Sequence, residues 1–116
     1  MAKRSDTGSD PLGDGERLDI SSMLFEWYPP KAASNLRKHG VSFEEAGTVF
    51  GDKKIAEYPD REHSEDELRY LAIGRSELGR LLLVVYAPTE LGIRIISARL
   101  AERWERREYE IANEQK

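Results

Sequence analysis

The spacing of apolar and polar side chains predicts a series of strands between residues 24 and 99. Residues 24–27 alternate weakly and indicate a short first strand. Residues 69–74 and 93–99 alternate clearly, whereas residues 81–86 are apolar throughout, as in a central strand covered on both faces. One face of the last strand is expected to carry Ile93, Ile95, Ser97 and Arg99. The links between the last three strands are short, which predicts antiparallel hairpins.

Helix start and stop signals place two helices between the first and second of these strands. The first helix is expected to begin near Pro30, because proline suits the first helical position, and to end at Gly40. Ser42 and Glu45 then form an S-x-x-E capping box, which predicts a second helix through about Phe50.

A third helix is predicted over residues 101–113. Its apolar positions should face the core, and both tryptophans, Trp27 and Trp104, are expected to be core residues. The positions predicted to share the buried side are Leu100, Ala101, Trp104 and Ile111. The order of strand, two helices, three strands and helix predicts an α+β fold with a three- to four-stranded antiparallel sheet.

Composition bounds the class of protein. At 116 residues the chain forms one small domain, and its net charge of −4 argues against a simple nucleic-acid-binding module, so any RNA contact needs a local basic face. The absence of cysteine excludes a disulfide framework and fits a cytoplasmic protein. The longest apolar run, Leu81–Ala87, is too short to span a membrane.

The chain is expected to consist of an extension and a folded domain. Residues 1–22 are expected to be a disordered extension, either a flexible arm or a stretch ahead of a start at Met23, and residues 23–116 the folded domain.

An ordered set of short motifs gives the chain a family resemblance. They are Phe25-Glu26-Trp27, Asn35-Leu36-Arg37-Lys38-His39-Gly40-Val41, Phe43-Glu44-Glu45-Ala46, Arg94-Ile95-Ile96-Ser97-Ala98-Arg99 and Glu105-Arg106-Arg107-Glu108-Tyr109. In this order they resemble the BrnT family, the ribonuclease toxins of type II toxin–antitoxin systems. No single motif is diagnostic; the resemblance rests on their order.

The resemblance implies a RelE-like fold, an endoribonuclease acting on cytoplasmic RNA, and an oligomer with a BrnA-type ribbon-helix-helix antitoxin. DNA would be reached only indirectly, through that antitoxin. A second interpretation keeps the fold but makes the chain a catalytically weak binding module, acting mainly as antitoxin partner and co-repressor. A third is an unrelated interaction domain with an acidic surface.

Metal-free RNA cleavage needs a base, an acid and cations that hold the phosphorane charge. His63, Glu67 and Arg69 lie close together ahead of a strand, with His63 able to move a proton, Glu67 to act as base and Arg69 to bind phosphate. The alternative is a solvated acidic loop. The spacing of the two histidines and nearby acids matches no common metal site, so no metal and no cofactor are expected.

Arginines near the strand ends complete the candidate site. Arg80 begins the central strand and Arg99 ends the last one, and both are candidate catalytic residues; Arg99→Ala is expected to lower activity and leave stability nearly unchanged. Candidate RNA-binding residues are Arg69, Arg75, Arg103 and Arg106. The alternative is a salt-bridged helix surface, since Glu102 and Arg106 are spaced i, i+4.

Two departures from the family pattern bear on these expectations. Tyr28 stands where the family usually has an aspartate that can cap the first helix, which should weaken the cap by ~1 kcal/mol. The segment after Ser97-Ala98-Arg99 is also less basic than is usual in the family, because Leu100, Glu102 and Trp104 dilute its charge.

Overall fold

The computed structural model describes residues 24–114, so the predicted extension of residues 1–22 lies outside the described part. The helices are α1 (Pro29–His39), α2 (Phe43–Gly47) and α3 (Arg103–Glu114). The strands are β1 (Leu24–Glu26), β2 (Ala56–Pro59), β3 (Tyr70–Arg75), β4 (Leu81–Pro88) and β5 (Gly92–Leu100). Short 3₁₀ turns cover Thr48–Gly51 and Arg61–His63. No helix within residues 24–114 is long and apolar enough to cross a membrane.

The strands form one sheet in the order β1-β5-β4-β3-β2. The three predicted strands of the second half pair as antiparallel hairpins, and the α+β class is confirmed. Two features extend the prediction: β2 adds a fifth strand beside β3, and β1 pairs with β5 in parallel. Both features are pairings between segments distant in sequence, which hydrophobic spacing does not report.

Each face of the sheet has its own core. The larger core lies under α1 and α2, where Val41, Phe43, Ala46, Val49, Leu82, Val84 and Ile95 are buried. The smaller core lies under α3 and contains Ile73, Leu81, Leu83 and Tyr109. Because α3 packs mainly on β2 and β3, the β4–β5 half of its face stays partly open. We call this half the open face; Val85 and Ser97 lie on it, half-buried.

A β-bulge changes which side chains of β5 share a face. Tyr86 pairs with Ile95 but Val85 pairs with Ser97, so Ile96 is the extra residue. Ile93 and Ile95 therefore point into the core under α1 and α2, while Ser97 and Arg99 point to the other face. The expectation that all four share one face was wrong.

The predicted end of α1 and start of α2 are confirmed, whereas α2 ends at Gly47 and the chain continues to Gly51 as a 3₁₀ turn. Gly40 has φ 69°, a left-handed conformation that glycine adopts without strain, and its N–H donates to the Leu36 carbonyl at 2.9 Å. The Ser42 hydroxyl accepts the Glu45 N–H at 2.9 Å, which starts α2. Tyr28 provides no side-chain cap for α1, as its residue type implies.

The buried side of α3 differs from the prediction. Trp104 is 57% exposed, and Leu100 and Ile111 are 48% and 41% exposed. Glu105 and Tyr109 are buried instead, at 1% and 7%. Spacing of i, i+4 puts these two residues on one side of α3, so the helix turns a carboxylate toward the sheet and leaves its tryptophan outside.

Candidate functional site

Three charged side chains meet near the starts of β3 and β5, two strands that lie on either side of β4. Arg69 directly precedes Tyr70, which packs toward the α1–α2 core, so Arg69 faces the α3 side. Arg94 of β5 pairs with Ala87 of β4 and faces the same side, two strands away from β3. The Glu67 carboxylate accepts a hydrogen bond from Arg94 Nη2, and its Oε1 lies 3.9 Å from Arg69 Nε. We call Glu67, Arg69 and Arg94 the phosphate-site cluster.

The charge of this cluster suits an anion. It holds two guanidinium groups and one carboxylate, each with a side chain 35–38% exposed, so solvent reaches all three. Arg69 Nε is nevertheless buried and has no hydrogen-bond partner within residues 24–114. That nitrogen is closed off from solvent, so an anion can reach only the exposed parts of the two arginine side chains. With two guanidinium groups against one carboxylate, the cluster carries a net positive charge.

The predicted acidic loop is ordered by hydrogen bonds that reach Arg69. The Ser64 hydroxyl donates to the Asp60 carbonyl at 2.7 Å and accepts the Arg69 N–H at 3.1 Å. The Asp60 N–H in turn donates to the Arg69 carbonyl at 2.8 Å. His63 Nδ1 lies 3.2 Å from the Asp60 carboxylate, and its side chain is 62% exposed. The structure thus brings His63 onto the loop that carries Glu67 and ends at Arg69.

Arg80 lies on the other side of the sheet. It shares its direction with Leu82, which is part of the core under α1 and α2. Its Nε donates to Glu45 Oε2 at 3.0 Å and its Nη2 to the Gly40 carbonyl at 3.0 Å. The hydrogen bond from Arg80 lowers the pKa of the Glu45 carboxyl, against the opposing effect of burial. The structure does not bring Arg80 together with Glu67.

Arg99 faces the α3 side but is held by α3 itself. Its Nη1 and Nη2 donate to the two carboxylate oxygens of Glu105 at 2.8 and 2.7 Å. Glu105 Oε1 also accepts the Glu102 N–H at 2.8 Å, so one buried carboxylate caps α3 and binds Arg99. The hydrogen bond to Glu105 raises the pKa of Arg99. Five residues of strand put Arg99 roughly 15 Å from Arg94.

The remaining candidate RNA-binding residues lie around α3. Arg75 Nη1 donates to the Gly79 carbonyl at 3.2 Å, and its guanidinium lies 5.9 Å from the Tyr109 ring centroid. Arg106 lies on the same flank of α3, the one that carries Asn113 toward Lys54. Arg75 and Arg106 are thus on the flank away from the open face. Arg103 is exposed at the first position of the helix.

Arg94 was missing from the candidates chosen by sequence. Its signal was present, because a charged residue interrupts the run of isoleucines in the last predicted strand. What the sequence could not show was the register that pairs Arg94 with Ala87 and brings it to Glu67. Within residues 24–114, no group of three or more His, Asp or Glu side chains is placed to hold a metal ion.

The fold is that of a small toxin of a type II toxin–antitoxin system. The family model described as the ribonuclease toxin, BrnT, of type II toxin–antitoxin systems matches residues 27–105. A similar solved structure is the ribonuclease toxin BrnT of Brucella abortus, with a TM-score of 0.52 and 25% identity over 66% of this chain and 94% of that chain. No curated protein matches the chain significantly. The chain belongs to the BrnT family, which confirms the resemblance seen in its sequence.

Proposed function

We propose that this protein is an endoribonuclease that cleaves cellular RNA in the cytoplasm and is silenced by a BrnA-type ribbon-helix-helix antitoxin. The observation that carries the proposal is the phosphate-site cluster. In a chain of a ribonuclease toxin family, two arginines and a carboxylate converge on a part of the sheet that α3 leaves open. RNA backbones offer the anionic oxygens that such a cluster binds.

The proposed reaction uses the RNA's own 2′-hydroxyl as nucleophile. Glu67 removes its proton, the 2′-oxygen bonds to phosphorus, and Arg69 and Arg94 hold the charge that builds on the phosphorane oxygens. The bond from phosphorus to the 5′-oxygen breaks, and His63 gives that oxygen a proton. The products are a 2′,3′-cyclic phosphate and a free 5′-hydroxyl, so neither water nor a metal ion enters the step. To act as the base, Glu67 gives up the hydrogen bond that it accepts from Arg94 and accepts one from the 2′-hydroxyl of the substrate.

In this proposal Arg80 and Arg99 have structural roles. Both guanidinium groups already bind buried carboxylates, Glu45 at 8% and Glu105 at 1% exposure. We infer that Arg80 holds α2 and that Arg99 holds the start of α3. A direct catalytic role for Arg99 stays a hypothesis that a paired substitution can test.

Expression in bacteria and cleavage in vitro test the proposal together. We expect growth arrest on induction, relieved by co-expression of the antitoxin, and cleavage of single-stranded RNA by the purified protein in EDTA. The new ends should be a cyclic phosphate and a 5′-hydroxyl. A Glu67→Gln protein with an unchanged melting temperature is the control and should be inactive. Cleavage abolished by EDTA and restored by magnesium would overturn the metal-free mechanism.

A catalytically weak binding module is the second candidate. It is favoured by the engagement of Arg80 and Arg99 with carboxylates and by the net charge of −4, both of which lower the basic potential available to RNA. This candidate predicts antitoxin binding and operator repression without growth arrest. Cleavage above that of the Glu67→Gln control would exclude it.

A further inference from the structure

Trp104 is a large aromatic residue left outside the core in the first turn of α3. Its side chain is 57% exposed, and its indole N–H donates to Glu102 Oε1 at 3.3 Å, which fixes the ring at the surface. Exposed tryptophans have a large apolar surface that water solvates poorly. A ring held in this way is suited to covering a flat apolar ligand.

The helix geometry places Trp104 beside the open face. Trp104 and Glu108 are one turn apart on the same side of α3. Burial and then the nearby Glu108 carboxylate raise the pKa of Tyr58, and Tyr58 pairs with Leu71 on β3. Leu71 pairs in turn with Val85, and Val85 pairs with Ser97, so this row of paired residues reaches the open face. Trp104 therefore lies on the flank of α3 that borders the open face, opposite the flank that carries Arg106.

Two arginines lie on the outer side of the exposed ring. Arg103 precedes Trp104, and Arg107 follows it by one turn on the same outer arc of the helix. Both are exposed, and neither forms an ion pair within the described residues 24–114. An aromatic surface beside two guanidinium groups suits a single-stranded nucleic acid, because the ring stacks on a base and the cations hold the adjacent phosphates.

We propose that Trp104 stacks on an unpaired nucleobase of the RNA substrate, with Arg103 and Arg107 on the neighbouring phosphates. This inference rests on the proposed function, since it extends the strand bound at the phosphate-site cluster across the open face to α3. The ligand is single-stranded because a base within a duplex has no free face to offer. Trp104 binds substrate here and takes no part in proton transfer.

Tryptophan fluorescence tests the contact directly. The chain has two tryptophans, so a Trp27→Phe background leaves Trp104 as the only reporter. The probe is a short 2′-O-methyl RNA, which binds but cannot be cleaved; the single strand should quench the emission, and a duplex of the same sequence should not. In cleavage assays Trp104→Ala should raise KM by about 5- to 150-fold with kcat nearly unchanged, the range expected for one lost base stack. Trp104→Phe should retain most of the affinity.

Leu78→Ala is the matched control, because Leu78 is an exposed apolar residue, 70% accessible, on the β3–β4 turn and outside the phosphate-site cluster. It should leave KM and quenching unchanged. If the protein cleaves RNA but Trp104 neither quenches nor affects KM, the inference about Trp104 is wrong and the proposed function stands. If Trp104→Ala weakens only the antitoxin complex, Trp104 is a protein-binding residue and the inference is also overturned. Quenching by the single strand without any cleavage would support the inference and refute the proposed enzyme, and the absence of both would overturn both.

Discussion

Arg99 and Glu105 bind each other through two hydrogen bonds of 2.8 and 2.7 Å at the point where β5 passes into α3. Glu105 is 1% exposed, whereas the Arg99 side chain is 31% exposed. Within residues 24–114, Arg99 is the only cationic side chain that forms an ion pair with this buried carboxylate. The pair joins the last strand to the last helix. A substitution at Arg99 is therefore expected to affect stability as well as activity.

Arg99→Ala should lower the free energy of unfolding by about 2–3 kcal/mol. Removing one partner of a buried ion pair leaves the other charge uncompensated, and we take the low end of the usual cost because Arg99 is partly exposed. This reverses the expectation from sequence that stability would barely change. Urea denaturation of the variant measures the loss; a midpoint equal to that of the unaltered protein would show that Glu105 finds another partner.

A paired substitution separates the structural role of Arg99 from its hypothesised catalytic role. Replacing both partners of a buried pair by apolar residues is often nearly neutral, so Arg99→Met with Glu105→Leu should recover most of the lost stability. If Arg99 also stabilises the transition state, this folded double variant should still cleave RNA about 10²–10³-fold more slowly. If it cleaves at the normal rate, Arg99 has no catalytic role.

The buried Glu45 predicts a loss of stability in acid. Hydrogen bonds from Arg80 and Ser76 hold the pKa of Glu45 below its ordinary value of 4.5, despite burial. A lowered pKa in the folded state means that the stabilisation is complete above about pH 4.5 and is lost as the pH falls through the folded pKa. Melting temperatures of the protein and of Glu45→Gln should differ most near neutral pH and converge in acid. Parallel curves would assign the acid sensitivity to other carboxyls.

Local sequence signals predicted the parts of the fold that depend on neighbouring residues. The helix end at Gly40, the cap at Ser42 and the apolar strand β4 each depend on residues only a few positions away in the sequence. The strand Ala56–Pro59 was missed because it is short, ends in proline and lies between charged residues. Its partner in the sheet is set by tertiary packing.

The prediction of which side of α3 is buried was wrong for a different reason. Hydrophobic periodicity counts Glu105 as polar and Trp104 as apolar, so it turned the helix the wrong way. Only the position of Arg99 at the end of β5 makes Glu105 the better residue to bury. The candidate site shows the same limit, because Glu67 and Arg69 were found from residue types but Arg94 needed the register of β4 and β5.

Residues 1–22 should be dispensable for stability. Within residues 24–114, the core under α1 and α2 and the core under α3 are built from buried side chains of the helices and strands described above. We expect a protein lacking residues 1–22 to melt within experimental scatter of the full chain. A loss of several degrees would mean that the extension packs on the domain, and the apolar groove of about 810 Å³ beside Phe25, Trp27 and Phe43 would be the place to look.

The phosphate-site cluster makes the sharpest prediction for activity. Arg69→Ala and Arg94→Ala should each slow RNA cleavage by about 10²–10³-fold, the effect of losing one preorganised donor to the transition state. Their melting temperatures should stay near that of the unaltered protein, because both side chains are more than a third exposed to solvent. Arg94→Ala removes a residue absent from the sequence-based candidates, so it tests the structure independently.

Arg37→Ala is the matched control for charge, since Arg37 is exposed on α1, on the opposite side of the sheet. It removes one positive charge, as either variant does, and should leave the cleavage rate within about twofold, because exposed charges distant from the site are screened by salt. An equal loss of activity in all three variants would indicate a general electrostatic effect. Full activity in Arg69→Ala and Arg94→Ala, with Arg37→Ala also active, would mean that the phosphate is bound elsewhere and that the cluster is not the active site.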